Sequence, residues 1–119
     1  MITVDPQSPV PPYEQVRVGI AAAVRSGELA PGTRLPTVRG LAADLGLAVN
    51  TVAKAYRELE RDQLVETRGR HGTFVPSSGD PVDEQAQLAA SDFAERMSRL
   101  GVEASEALAM VRAALKLRD

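Results

Sequence analysis

The spacing of the apolar residues changes near residue 64, and this change constrains the fold more than any other feature of the chain. Before that point apolar side chains recur every three or four residues, as on one face of a helix; after it they alternate, as in a strand. Two short helical patterns separated by Gly46 and a brief turn predict a helix-turn-helix. Two predicted strands, 64–68 and 73–75, follow as a hairpin. Three helices and a hairpin, in that order, predict a mainly α fold of the winged helix-turn-helix type.

Residues that favour helix ends mark the boundaries of these helices. Pro11 and Pro12 open the first helix, and Ser26 with Gly27 closes it. Thr37 is a natural N-cap for the second helix. The predicted buried faces are Tyr13, Val16, Ile20, Ala23 and Val24 in the first helix, Val38, Leu41, Ala42 and Leu45 in the second, and Val52, Ala55, Tyr56 and Leu59 in the third.

Composition excludes several classes of protein. The chain has no cysteine and one histidine, which argues against a disulfide framework, a thiolate metal site and a histidine cluster. No apolar run approaches the roughly 18 residues of a membrane span, and the N-terminal segment lacks the pattern of a signal peptide. We therefore expect a soluble cytoplasmic protein with no cofactor and no membrane partner.

The charge is unevenly distributed along the chain. The whole chain carries 14 basic and 16 acidic side chains, but residues 1–79 hold nine basic and eight acidic ones, whereas residues 80–119 hold five and eight. The boundary falls in a stretch rich in Pro, Ser, Gly and Asp, which predicts a linker. We expect an N-terminal extension over 1–10, a winged helix over 11–76, a linker over 77–82 and a tail over 83–119.

The tip of the predicted hairpin concentrates positive charge. Arg70 and His71 lie between Gly69 and Gly72, and glycine allows a tight turn and a close approach to a ligand. Such a tip is often only a solvated turn. Its position directly after a helix-turn-helix favours a contact with DNA.

Residues 11–75 resemble the N-terminal domain of the GntR family of bacterial transcription regulators. The matching motifs are G-x-L-x-x-G-x-x-L-P over 27–36, Arg39 with Leu41 and Ala42, the helix start Asn50-Thr51-Val52, R-x-L-E and the G-T-F-V wing. The short tail and the sequence NTVAKAYRELE are most similar to the YtrA type. The resemblance implies a homodimeric regulator, a repressor, that binds double-stranded DNA at a palindromic operator, with the third helix in the major groove.

The resemblance also implies which residues contact DNA: Thr37, Arg39, Asn50, Thr51, Lys54, Arg70, His71 and Gly72. Arg39 would lie at a helix N-terminus, where free N–H groups favour a phosphate, but it could instead pair with Asp44 or Glu58. Asn50 could bind an adenine edge or cap the third helix. Arg57 and Arg61 are expected on a solvated, charge-paired face.

Three positions depart from the family pattern. Ala48 and Val49 occupy positions where relatives carry polar or charged residues, and an alanine cap costs about 0.5–2 kcal/mol. Gly40 inside the second helix should cost about 1 kcal/mol relative to alanine. We therefore expect weaker base recognition and a less stable first turn at the start of the third helix.

The tail predicts two further helices, about 82–100 and 103–118, whose apolar stripes are thin. Such a pair is marginal without a partner, so we expect it to mediate dimerisation through Phe93, Met97, Leu100, Leu108, Val111 and Leu115. The tail is too short for the large effector domains of other subfamilies. The sequence leaves open whether a small hydrophobic effector binds between the helices of the two subunits.

The sequence is compatible with different classes of function to different degrees. A DNA-binding regulator explains the motifs; a winged helix that binds other proteins is the alternative, because the overall charge is negative. No nucleophile with a base, no phosphate-binding glycine loop and no metal ligand set indicates an enzyme. Loss of binding on Arg39→Ala would separate the first two classes.

Overall fold

The first two helices begin and end where local signals predict. The computed structural model describes residues 2–77 and 80–117. Helix α1 spans Pro12–Ser26, α2 spans Val38–Leu45 and α3 spans Val49–Arg61. The Oγ1 atom of Thr37 accepts a hydrogen bond of 3.0 Å from the backbone N–H of Gly40, which caps α2. Gly46 adopts a left-handed conformation with φ of 67° and ends it.

Strands β1, Glu66–Thr67, and β2, Thr73–Phe74, form the antiparallel hairpin, with Glu66 opposite Phe74. They are shorter than the predicted 64–68 and 73–75. Leu64 and Val65 instead enter the core, where their side chains are buried. A single turn of 3₁₀-helix, Gly69–His71, joins the strands.

The connector between α1 and α2 pairs with the other side of β2 and so extends this sheet, which the sequence did not predict. The N–H of Leu35 donates to the carbonyl of Thr73 at 2.8 Å, and the N–H of Val75 donates to the carbonyl of Thr33 at 2.9 Å. Arg34 consequently lies opposite Phe74. Through β2, the wing is therefore attached to the connector that joins α1 and α2.

One apolar core lies between the helices and the base of the wing. Val16 and Ile20 of α1, Val52 and Leu59 of α3, and Val75 after β2 are completely buried. The predicted buried faces of the three helices are confirmed, except that Tyr13, Val38 and Leu45 are only half-buried. Burial of this surface stabilises the arrangement that presents α3 and the wing.

The N-terminal segment packs along α1. The side chain of Gln15 accepts a hydrogen bond from the N–H of Asp5 at 2.8 Å and donates to the carbonyls of Asp5 and Val10 at 3.1 and 2.8 Å. Ile2 and Val4 are half-buried against the core. These contacts fix the described part of the segment to α1 and the core.

Two helices follow, α4 over Pro81–Leu100 and α5 over Ala104–Ala114. The expected linker includes Ser78 and Gly79, which lie outside the described residues, and its last two residues already belong to α4. Asp80 caps α4, because its Oδ1 accepts from the N–H groups of Val82 and Asp83 at 3.0 and 3.2 Å. Helix α5 ends before the expected residue 118, since Lys116 has a left-handed φ of 60°; Arg118 lies outside the described residues. The chain divides into two compact units between Gln85 and Ala86, within α4.

Candidate nucleic-acid interface

The start of α2 presents an exposed arginine. Thr37 and Arg39 are both exposed, and Arg39 forms no ion pair with any described residue, so the alternative pairing with Asp44 or Glu58 is wrong. Glu58 lies 4.0 Å from Nε of Arg17 instead. A guanidinium beside the free N–H groups of a helix N-terminus favours an anion.

The first turn of α3 begins one residue earlier than the sequence predicted. Ala48 holds the N-cap position and offers no side-chain hydrogen bond, as its methyl group dictates. Asn50 is therefore the second residue of the helix, and the alternative that it caps α3 is wrong. Its side chain is exposed, and Thr51 beside it is half-buried.

Lys54 lies one turn further along α3 and contacts α1. Its Nζ atom is 3.7 Å from the centre of the Tyr13 ring, within the range of a cation–π interaction. The lysine remains exposed. Tyr13 thus fixes the direction in which this charge projects.

Tyr56 fixes α3 to the residues that directly precede α2. Its hydroxyl donates a hydrogen bond of 2.6 Å to the carbonyl of Pro36. Burial raises the pKa of Tyr56 to about 12, because the ionised phenolate would be poorly solvated there. The bond fixes the spacing between the N-terminus of α2 and the exposed side of α3.

The wing carries one neutralised arginine and an exposed basic tip. The guanidinium of Arg68 lies 4.2 Å from the centre of the Phe74 ring, and its Nη2 is 2.8 Å from Oε1 of Glu66. Arg70 and His71 are exposed at the tip. Gly72, with φ of 108°, closes the turn, and its carbonyl accepts from the N–H of Arg68 at 2.8 Å. The tip is therefore held by backbone bonds while the side chains of Arg70 and His71 face solvent.

A shallow groove joins α2, α3 and the wing on one side of the first unit. Val38, Ala53, Arg57, Thr67 and Thr73 line it, with Tyr56 and Glu60. The hydroxyl of Thr67 donates to the carboxylate of Glu60, which fixes β1 to the end of α3. Residues of α2, α3 and both wing strands therefore meet at this groove, but none of the eight predicted DNA-contacting residues lines it.

Arg57 is a member of this groove that sequence reasoning assigned elsewhere. Neither Arg57 nor Arg61 forms an ion pair with the described residues, so the prediction of a charge-paired face is wrong for both. The signal was present in the spacing: Asn50, Lys54 and Arg57 follow one another by four and three residues, which places them on one helical face.

Comparisons with known proteins agree with this geometry. A family model described as bacterial regulatory proteins, gntR family, matches residues 12–75. The chain belongs to the GntR family. It is 49% identical over 107 residues to the HTH-type transcriptional regulator Rv1152 of Mycobacterium tuberculosis, a match that covers 90% of this chain and 88% of that protein.

Two solved structures extend the likeness within the GntR family. YtrA from Sulfolobus acidocaldarius, a GntR-family transcription factor, superposes with a TM-score of 0.64 at 28% identity and covers 97% of both chains. The DNA-binding domain of AraR in complex with operator ORX1 has a TM-score of 0.55 at 29% identity, over 62% of this chain and 92% of that one. The protein is a DNA-binding transcription regulator of the YtrA type and not an enzyme.

The second unit of this GntR-family chain contains an apolar groove between α4 and α5. Phe93, Met97, Leu108 and Val111 line it, with Val102 and Ala107 among others. Leu100 and Leu115, the other two predicted dimerisation residues, do not line it and are 61% and 64% exposed. The structure therefore brings together four of the six predicted residues.

Two further observations concern the described residues as a whole. In residues 2–77 and 80–117 no three His, Asp or Glu side chains gather as metal ligands would. None of the helices in that part of the chain is long and apolar enough to cross a membrane.

Proposed function

We propose that the protein is a homodimeric repressor that binds a palindromic operator through the exposed residues of α2, α3 and the wing, around the groove where these elements meet. The convergence of these three elements on one groove is the observation that carries the proposal. The complex of the AraR domain with its operator supports it by analogy. Such a regulator would act in the cytoplasm, where the bacterial chromosome lies.

Each exposed group has a chemical role in this proposal. Arg39 binds a phosphate or a guanine through two parallel hydrogen bonds from its guanidinium. Asn50 matches the donor and acceptor edge of adenine, and Thr51 supplies a hydroxyl to a phosphate or its methyl group to a thymine. Lys54 contributes a charge contact to the backbone.

The wing contributes a second contact region. Arg70 and His71 project donors and positive charge from the tip, and Gly72, with a φ of 108°, allows the tight turn that presents them. Phosphate contacts of this kind position a protein on DNA, whereas contacts to base edges specify the sequence. We therefore assign specificity to α3 and most of the affinity to Arg39, Lys54 and the wing.

The second unit supplies the pairing of two copies. The apolar groove between α4 and α5 is covered, in this proposal, by the same groove of a second chain. Two-fold pairing would place two recognition helices on half-sites about 34 Å apart. The excess acidic charge of residues 80–119 would then lie away from the phosphates.

Selection of bound duplexes from a random pool tests the proposal. We expect a palindromic sequence to be enriched, and Arg39→Ala to weaken binding to it by about 1–3 kcal/mol. Arg25→Ala is the matched control, because it removes an exposed arginine from the last turn of α1 and should leave the affinity unchanged.

Three results would contradict all or part of the proposal. A pool with no enriched sequence would remove operator recognition. Binding that ignores Arg39 and the wing would favour the alternative that the winged helix contacts another protein, as its overall negative charge allows. An enriched site without two-fold symmetry would leave DNA binding intact and remove the dimer.

A further inference from the structure

Arg34 belongs to the wing although it precedes it by more than thirty residues. It lies in the connector edge of the sheet, opposite Phe74 of β2. Residues directly opposite each other in adjacent strands project to the same face of a sheet, so Arg34 shares a face with Phe74. The guanidinium of Arg68 also contacts the Phe74 ring. No sequence motif indicates a role for Arg34.

The side chain of Arg34 extends from this position toward the tip. A methyl group added at Gly72 would lie 2.9 Å from Nε of Arg34 and 3.4 Å from both its Cζ and Nη2. The guanidinium therefore packs directly on the glycine backbone. Any larger residue at 72 would occupy the space that the guanidinium fills, and it would be strained at a φ of 108°.

Arg34 is positively charged and has no acidic partner within residues 2–77 and 80–117. It is exposed and forms no ion pair with the described residues, whereas Arg68 is neutralised by Glu66 and Arg17 by Glu14. A guanidinium without a counter-ion in the protein is available to a phosphate, which it can bind through two hydrogen bonds. Arg34 also lies next to the residue that closes the exposed basic tip.

We propose that Arg34 is a further DNA-contacting residue, whose guanidinium, seated on Gly72, binds a backbone phosphate beside the wing tip. This inference rests on the proposed function. It makes the wing contact a composite of the α1–α2 connector and the hairpin. The folded sheet positions the guanidinium before DNA arrives.

Salt dependence of binding tests the inference, because each phosphate contact contributes about 0.9 to the slope of log affinity against log salt concentration. The probe is the duplex selected above, and binding of the full chain is measured by fluorescence anisotropy over a series of NaCl concentrations. Arg34→Gln should lower the slope by about one per protomer, and so by about two for a dimer on both half-sites. Arg34→Lys keeps the charge and should keep the slope.

The control is Arg25→Gln, which removes the same charge from α1 and should leave the slope unchanged. An Arg34→Gln slope equal to that of the unmodified protein would overturn the inference. So would a loss of affinity at unchanged slope accompanied by a lower melting temperature, since the arginine would then only stabilise the sheet. Failure of the proposed function is a separate result, because the unmodified protein would then select no duplex.

Discussion

The two units of the chain differ in how completely they bury their own apolar side chains. Fifteen buried side chains form one core in the first unit, whereas Ala107 alone is buried among the described residues from Ala86 onward. Leu59 in the first unit is fully buried; Leu108 in the second is 56% exposed. The first unit therefore contains the interactions that fold it, whereas the second leaves several large apolar side chains exposed, among them Leu100, Leu108 and Leu115.

This difference separates two tasks that one short chain performs. The first unit must hold the start of α2, α3 and the wing in fixed relation, which a closed core and the bonds of Tyr56 and Thr67 achieve. The second unit has regular helices but little enclosed surface, and a helix pair of this size gains its stability from a partner. In the proposed dimer, a second copy would cover the exposed leucines of α5.

The largest expected effect tests the closed core. Leu59→Ala removes a fully buried side chain and should lower the free energy of unfolding by about 2–5 kcal/mol. Leu108→Ala removes a half-exposed one and should change it by less than about 1 kcal/mol in dilute protein. Urea unfolding followed by circular dichroism measures both. Equal losses for the two variants would mean that the second unit is as tightly packed as the first, and the comparison would be wrong.

The same Leu108→Ala variant should matter at higher protein concentration. If its groove pairs with a second copy, sedimentation equilibrium should show a dimer weakened by about 1–2 kcal/mol for each leucine lost. Met110→Ala is the matched control, because Met110 is a comparably exposed apolar residue of α5 that does not line the groove. A dimer weakened only by Met110→Ala would assign the pairing to another face of α5.

The next effect is a pH dependence confined to the first unit. The pKa of Tyr56 is raised to about 12 from an unfolded value of 10, so the folded state holds the proton more tightly. The stabilisation is complete below pH 10 and is lost as the pH rises toward 12, a fall of about 2–3 kcal/mol in the free energy of unfolding.

Tyr56→Phe is the control for this titration. It should remove the pH dependence and cost about 1 kcal/mol at neutral pH, because the carbonyl of Pro36 loses its donor. Unfolding in urea at several pH values between 9 and 12 measures both. A variant that keeps the full alkaline loss would show that another group causes it.

Local signals made most of the helical fold predictable. Pro12, Thr37 and Gly46 act within one turn of chain, and each marks a helix end as predicted. The pairing of the α1–α2 connector with β2 was not predictable in this way. Leu35 and Thr73 are nearly forty residues apart, and no periodic pattern in the sequence indicates that they pair. Leu64 and Val65 have strand-like sequences, but closing the core places them there instead of in the hairpin ladder.

The candidate site shows the same division. The positions at the start of α2, on α3 and at the tip came from the resemblance, because their motif is contiguous. Arg57 was assigned to a paired face because acidic residues surround it in sequence, yet side chains adjacent in sequence project from different sides of a helix. Arg34 was missed because its neighbour, Gly72, is distant in the chain and has no side chain to suggest a contact.

The smallest expected effect concerns a strained backbone conformation that occurs once in each unit. Gln63, after α3, and Lys116, after α5, have left-handed φ angles of 61° and 60°, which cost a residue with a side chain about 1 kcal/mol. The following N–H groups close both helix ends in the same way: Leu64 donates to the carbonyl of Leu59, and Leu117 to that of Arg112, each at 2.9 Å. The two sites are therefore matched in geometry and differ in the unit that contains them.

Glycine at each site should relieve the strain, with different consequences for the two units. Gln63→Gly should raise the free energy of unfolding of the first unit by about 0.5–1 kcal/mol, the relief being reduced by the greater freedom of glycine in the unfolded chain. Lys116→Gly should leave that transition unchanged if the second unit unfolds independently. Thermal unfolding of dilute protein, followed by circular dichroism, measures both. An equal rise in the free energy of unfolding for Lys116→Gly would show that the two units unfold as one. A change after the end of α5 can stabilise the first unit only if both units share one cooperative transition.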